Sequence, residues 1–214
     1  MKGEVTLILH TCDSYSFCWE SYFHYIHKHF KVDIDKVFCT EETIVNQEGW
    51  SNLRTGKGEW SDRLIRILGD IKTPYVLYMQ EDFWPIKDLD PEIVSKCLEL
   101  MKRDKLSAFY ITKSASTRPE DGILKCYDEF KGNKMFRFMP NSPYIMNHQF
   151  ALWDKLELLK NMVSNESPWQ NEIRATRRII ERKEHENYKV MSHQWYEAVV
   201  RRGKFTEDGQ RLKI

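Results

Sequence analysis

The sequence predicts an α/β protein built on a mixed, mainly parallel central sheet with helices on both faces. Three observations predict it. Continuous apolar runs of strand length occur at VTLILH (5–10), KVFCT (36–40), YVLYM (75–79) and SAFYIT (107–112). Stretches with apolar residues at three- and four-residue steps lie between them, and capping or turn residues punctuate the joins. Strands that alternate with helices need crossover connections, which make neighbouring strands parallel and cover both faces of the sheet.

Composition limits what such a protein does. With 214 residues, 41% hydrophobic and 13% aromatic, the chain is expected to form a single domain, 1–214, whose core is large enough to contain a ligand cleft. Its 33 basic and 32 acidic residues nearly cancel, which argues against nucleic acid as a partner, although the last third is locally basic. No apolar run approaches the length of a membrane span. Cys12, Cys18, Cys39, Cys97 and Cys126 are odd in number and lack a CxxC pair, so they read as reduced thiols rather than a zinc or redox site. The apolar N-terminal stretch is shorter than a signal-peptide core and reads as a first strand, so the expected location is cytoplasmic.

Taken in order, VTLILH is the first strand, and Thr11-Cys12-Asp13-Ser14 supplies helix-capping chemistry after it. Tyr15, Cys18, Trp19, Tyr22, Phe23, Ile26 and Phe30 then form one apolar helical face. KVFCT is the second strand, followed by a polar loop through Asn46, Gly49, Gly56 and Gly58. A helix over about 61–71 turns Leu64, Ile65, Leu68 and Ile71 inward, and Thr73-Pro74 ends it because a residue before proline avoids the helical region. YVLYM is the third strand. Pro91 opens a third helix marked by Ile93, Val94, Cys97, Leu98 and Met101, and SAFYIT is the fourth strand. The segment 113–148 is irregular, with β-like pieces such as KMFRFM; helices are expected from about Leu152 to Val163 and from Trp169 to Glu184, then a tail of strand and loop.

The third strand ends in Gln80-Glu81-Asp82. In open α/β sheets ligands bind beyond the carboxyl ends of the strands, and hard oxygen ligands there suit Mg2+ or Mn2+ held jointly with phosphates. Alternation along an extended segment would point Gln80 and Asp82 one way and Glu81 the other. Acidic pairs at strand ends are also ordinary loop starts. Phe83 and Trp84 favour the functional reading, because they would keep the edge partly desolvated.

Read with what precedes it, TGKGEWSDRLIRILGDIKTPYVLYMQEDFW (55–84) resembles the centre of nucleotide-sugar-dependent glycosyltransferases of the GT-A fold. In these a glycine-containing loop and an arginine-bearing helix lead into an apolar strand ending in a DxD-type motif. VTLILHTCD resembles their first strand, SPWQNE (167–172) their W-x-x-E segment, and GKFTEDG (203–209) their closing C-terminal segment. The match is with small glycosyltransferases of bacterial polysaccharide loci and of large algal (chlorella) viruses. The resemblance implies that 1–112 binds the nucleotide sugar, and that 113–214 binds the acceptor and closes the site. It also implies a UDP-sugar donor, a glycan acceptor, Mn2+ or Mg2+ as cofactor, and inverting transfer.

Residue by residue, Asp82 takes the metal-binding position, with Glu81 second and Gln80 standing where the family has an acid. His193 matches a C-terminal histidine that is an additional metal ligand or phosphate donor in some members; an isolated histidine is more often a surface or hydrogen-bonded residue. Thr11, Cys12 and Asp13 fall where the nucleotide base is held, Asp13 also being an ordinary cap. Arg63 matches a nucleotide-contacting arginine, and Lys57 and Trp60 line the same approach. Arg202 and Lys204, beside Arg201 and Gly203, are phosphate candidates or a solvated basic surface. Glu172 is the first candidate base and Asp154 the second, each with a helix-surface alternative. Tyr144, His148 and Trp153 are candidates for a sugar-stacking platform or for core. Two other readings compete. A sugar-phosphate nucleotidyltransferase would carry a glycine-rich loop after the first strand, and HTCDSYSF contains no glycine. A non-catalytic nucleotide- or carbohydrate-binding domain would be consistent with Gln80.

Overall fold

The computed structural model describes residues 1–112 and 121–214, so the first part of the irregular segment, 113–120, lies outside the described residues. Among the described residues, nine strands form one sheet in the order β3-β2-β1-β4-β9-β6-β10-β8-β7. They are β1 (Val5–His10), β2 (Asp35–Thr40), β3 (Ser51–Arg54), β4 (Tyr75–Met79), β6 (Ala108–Tyr110), β7 (Leu124–Phe130), β8 (Asn133–Phe138), β9 (Ala151–Asp154) and β10 (Tyr188–Met191). Parallel pairing joins β3, β2, β1 and β4, and also β6 to β10; β9 runs antiparallel to both β4 and β6. The sheet is therefore mixed and mostly parallel, with the carboxyl ends of β1, β2, β4, β6 and β10 on one edge. β5 (Phe83–Pro85) pairs with β11 (Tyr196–Ala198), and β12 (Val200–Arg201) forms a hairpin with β13 (Lys204–Phe205).

Every residue of β1 is buried, so its two faces feed two separate cores. Val5, Leu7 and Leu9 pack with α1 (Trp19–His29) and α3 (Pro91–Asp104); Ile8 packs with α2 (Trp60–Asp70), α4 (Lys155–Lys160) and α5 (Pro168–Glu181). The helices start where chemistry requires. Asp90 accepts from Glu92 N ahead of Pro91, and Ser167 and Gln170 form a reciprocal capping box ahead of Pro168. No helix among the described residues is long and apolar enough to cross a membrane.

One expected element is overturned. Residues 151–154 are not the start of a helix but the strand β9, which fills the space between β4 and β6 and is buried on both faces up to Trp153. Its register sets Tyr75 opposite Asp154, at the amino end of β4. Asp154 N donates to Ser107 O, and Lys155 N donates to Pro74 O. Asp154 therefore stands on the edge of the sheet opposite Gln80–Asp82, where its Oδ1 caps α4 by accepting from Leu156 N and Glu157 N. It is a helix cap, not a base. Trp153, fully buried beside Tyr110 and Tyr188, is core and not a sugar platform.

The tail is more ordered than strand and loop. It ends in a short helix, α6 (Glu207–Leu212), which docks on α1: Tyr25 Oη donates to Leu212 O, and Ile214 N donates to Ser21 Oγ. A Cβ added at Gly209 would lie 2.1 Å from the Val199 carbonyl oxygen, so only glycine allows this approach.

Candidate active site

A cavity of about 440 Å³ opens at the carboxyl edge of the sheet. It lies where β1 and β4 end and where α2 and α5 begin. β1 delivers His10, Thr11 and Cys12; the turn after β4 delivers Gln80, Glu81 and Asp82; α2 contributes Trp60 and Arg63, and α5 contributes Trp169 and Glu172. The two helix starts are stapled together, because Ser61 N donates to Glu166 O and Glu166 N donates to Ser61 Oγ. Both positive helix ends thus face one cavity, a setting that favours an anionic ligand.

The strand stops at Met79, before the segment along which alternation was expected, and a turn in which Phe83 N donates to Gln80 O puts Gln80, Glu81 and Asp82 on the cavity wall. Two backbone anchors fix this turn: Trp84 Nε1 donates to Glu81 O at 3.1 Å, and Val199 N donates to Asp82 O at 2.8 Å. Trp84 is fully buried and desolvates the turn from beneath.

Glu172 Oε1 accepts from His148 N at 3.0 Å, which aims the carboxylate inward from α5. Burial raises the pKa of Glu172 above its ordinary value, the His148 hydrogen bond opposing. Glu81 is raised by burial and then by the neighbouring charge of Asp82. Asp82 is raised by burial and by Glu172, with its own backbone N–H opposing. Three carboxyls therefore share one desolvated space, and Asp82 Oδ1 has no hydrogen-bond partner among the described residues. Such a cluster needs a compensating cation or protons. Among the described residues no three His, Cys, Asp or Glu side chains are arranged as a metal cage. A divalent cation here would take Asp82, with Glu81 or Gln80, and draw its remaining oxygens from a bound ligand and water. That donor set fits Mg2+ or Mn2+.

Arg63 is buried, and its guanidinium organises the wall formed by the ends of β1 and β2. Nε donates to Thr55 Oγ1 at 2.8 Å, Nη2 donates to Thr11 O, and Nη1 lies 4.0 Å from Glu41 Oε1. Glu41, just past the end of β2, also lines the cavity, and its Oε2 accepts from Asp13 N.

Several sequence candidates stand elsewhere. Asp13 does not line the cavity; its carboxylate accepts from Glu41 N, Glu42 N, Thr43 N and Thr43 Oγ1. It therefore pins the turn that carries Glu41 and offers nothing to a base or to a helix cap. Against the desolvation of its carboxyl, these bonds hold its pKa below the ordinary value. His193 is not in the cavity either. Its Nδ1 meets Asn133 Oδ1 at 3.1 Å, and the charged groups near it are Lys87 and Asp90, so it stands outside the space that Asp82 lines. Lys57 is exposed next to Gly58, which lines the cavity. Arg202 and Lys204 are exposed around the β12–β13 turn, whose Gly203 backbone reaches the hydroxyl of Tyr15 on the cavity wall. Tyr144 is half-buried away from the cavity, while His148 is on its wall. His10, Tyr15, Glu41 and Gln149 are the cavity residues that sequence reasoning missed. His10 and Glu41 were within reach, because each sits where a correctly read strand ends.

No protein-family model matches the sequence, and no curated protein sequence matches it. Solved structures do. A mannosyltransferase from Pyrobaculum calidifontis in complex with GDP-Man and Mn2+ matches over 94% of this chain and 58% of its own, with 13% identity and a TM-score of 0.56. S. aureus TarS 1–349 in complex with UDP-GlcNAc matches over 94% and 60%, with 12% identity and a TM-score of 0.56. Glucosyl-3-phosphoglycerate synthase from Mycobacterium tuberculosis, in complex with Mn2+ and UDP-glucose, matches over 97% and 74%, with 12% identity and a TM-score of 0.56. The chain spans less than two thirds of the length of the first two. The architecture assembled here from strands, helices and their carboxyl edge is the GT-A, Rossmann-like fold of these glycosyltransferases.

Proposed function

We propose that the protein is a metal-assisted glycosyltransferase that moves a hexosyl group from a nucleoside diphosphate sugar, of the uridine type, to a hydroxyl of a glycan acceptor with inversion. The observation that carries this reading is the cavity at the carboxyl edge, where Asp82 presents an unpartnered, shielded oxygen and Glu172 faces the same space. The nucleoside lies along the ends of β1 and β2, against Thr11, Cys12, Glu41 and Arg63. The diphosphate lies toward the two helix starts and Asp82, with Lys57, Arg202 and Lys204 adding positive charge from the rim.

A divalent cation held by Asp82, with Glu81 or Gln80, would supply neutralising charge for the departing diphosphate, an effect on the order of several kcal/mol. The rest falls to the side chains. Gln80 and Glu81 orient the donor. Glu172, held by the His148 N–H, accepts the proton of the acceptor hydroxyl as that oxygen attacks the anomeric carbon opposite the leaving group. Burial makes Glu172 more basic than an exposed glutamate, which suits this role at neutral pH. Trp169, 66% exposed at the rim and three residues ahead of Glu172, offers its face to the acceptor ring.

The test is a screen of UDP-hexoses with Mn2+ and a panel of oligosaccharides, scored by UDP release for the wild type and E172Q. Turnover by the wild type and loss in E172Q supports the proposal. Tight UDP binding without turnover of any donor, even by hydrolysis, would make the protein a binding domain.

A further inference from the structure

Residues 145–148 are buried yet belong to no strand or helix, so their backbone groups have no ladder to pair with and depend on side chains. Two elements supply them. From β6, Tyr110 Oη donates to Ile145 O at 2.8 Å and accepts from Asn147 N at 3.2 Å. From α5, Thr176 Oγ1 accepts from Met146 N and Glu172 Oε1 accepts from His148 N, each at 3.0 Å. The carboxylate proposed as the base is thus one of the groups that hold this segment, and the segment holds it in return.

How firmly Glu172 is held depends on the ring of His148. Its Nε2 lies 3.1 Å from Oδ1 of Asn171, which is fully buried and precedes Glu172 on α5. The surroundings settle which way that amide points. Asn171 Nδ2 donates to Asn161 O at 3.0 Å and to Glu166 Oε2 at 2.7 Å, and a backbone carbonyl and an ion-paired carboxylate only accept. Asn171 Oδ1 therefore faces His148, whose Nε2 carries the proton between them. Glu166 is itself buried and fixed, with Arg178 Nη1 3.3 Å and Arg174 Nη1 3.6 Å from its Oε1. A continuous chain of hydrogen bonds runs from the Arg178–Glu166 pair through Asn171 and His148 to Glu172, and neither Glu166 nor Asn171 lines the cavity.

We infer that Asn171 is a positioning residue for the transfer reaction: it fixes His148 so that the His148 backbone N–H sets the carboxylate of Glu172 at the cavity wall, and Glu166 fixes Asn171 in turn. The inference rests on the proposed glycosyltransferase reading with Glu172 as its base, and adds the residues on which the action of that base depends. Without Asn171 the Nε2–H of His148 is left buried and unpaired, which favours a shift of the ring and of the backbone N–H attached to it. A base that has lost its place costs rate rather than donor binding. Proton transfer needs the base within hydrogen-bond reach of the acceptor hydroxyl, and a misplacement on the order of 1 Å costs about 100-fold.

The experiment is a mutant cycle in steady-state kinetics, run with the UDP-hexose and acceptor that the wild type turns over. N171L and H148F each remove one side of the Asn171–His148 bond while keeping bulk, and H148F also keeps the backbone N–H that Glu172 accepts. Near-UV circular dichroism checks packing, and calorimetry of UDP with Mn2+ checks the donor site. Each variant should lower kcat about 10- to 100-fold and leave donor KM and UDP affinity within about 3-fold of the wild type. The two together should be no more than about 3-fold worse than the weaker single variant. In E172Q, which has already lost the group being positioned, neither should lower kcat further. A general structural role predicts instead that the losses multiply with E172Q, and that result overturns the inference. So does a kcat within about 3-fold of the wild type in both variants, or a loss that falls on UDP binding. A wild type that turns over no donor would overturn the glycosyltransferase reading itself, and this assignment with it.

Discussion

Replacing Glu172 by glutamine should remove most of the transfer activity while leaving the fold and the nucleotide site in place. The amide oxygen can still accept the His148 N–H that Glu172 Oε1 accepts at 3.0 Å. The exchange also removes a carboxylate from a site where burial disfavours charge, so the melting temperature should be unchanged or slightly higher. A second sign follows from the neighbour. The charge of Glu172 raises the pKa of Asp82, so E172Q makes Asp82 easier to ionise and Mn2+-dependent UDP binding should be equal or tighter. Only the chemical step should suffer, by about 10²–10⁴-fold, the usual share of a general base, or roughly 3–5 kcal/mol of activation free energy. The assay is UDP release in the presence of acceptor, followed against pH. The wild-type rate should rise through a pKa above 4.5, the ordinary glutamate value, because only the carboxylate accepts the proton, and E172Q should lack that limb. The assignment is refuted if E172Q keeps its activity within about 3-fold, or if activity, UDP binding and melting temperature fall together.

Other consequences can be measured on the same protein. W169A should raise the acceptor KM about 3- to 10-fold, a loss on the order of 1 kcal/mol, and leave donor hydrolysis unchanged; an unchanged KM would remove Trp169 from the acceptor path. G209A sets a Cβ 2.1 Å from the Val199 carbonyl oxygen and should cost about 1–3 kcal/mol in chemical denaturation; full stability would mean that α6 does not dock as described. D13A releases four hydrogen bonds from the 41–43 turn and should cost about 1–3 kcal/mol while raising the donor KM through the loosened Glu41. The metal-free protein should lose stability as pH rises. Glu81 and Asp82 hold protons in the native state above 4.5 and 3.8, where the unfolded chain has released them. Their contribution is therefore complete below those values and disappears as pH climbs through the raised native pKa values toward neutrality. E81Q should flatten that slope of melting temperature against pH, and an identical slope would mean that the pair does not share a desolvated site.

The first half of the chain was legible because local pattern and tertiary role coincide there. Apolar runs bounded by caps became β1, β2 and β4, and Thr73-Pro74 marked the entry to β4 as expected. The second half hid its central element. In ALWDKLELL four strand residues abut a short helix, and the leucines continue at a helical spacing, so periodicity alone cannot separate them. The break is visible in Asp154 followed three residues later by Glu157, a helix-start signal that places Asp154 before the helix rather than on its face. Of the site, Thr11, Cys12 and Gln80–Asp82 could be placed from strand ends, and Trp60, Arg63 and Glu172 through the resemblance. Asp13 and His193 were misread because residue type suggests a ligand, whereas partners decide. The hydrogen-bonding turn at 41–43 and Asn133 are each distant in sequence. His148 gained its setting from Trp60 and Asn171, which no local spacing connects.

Calorimetric titration of UDP with and without Mn2+, on the wild type and on D82A, tests the central claim most directly. The account predicts that UDP binding strengthens markedly when Mn2+ is present and that D82A abolishes this dependence. Binding that is absent, or that is indifferent to both metal and mutation, would contradict it.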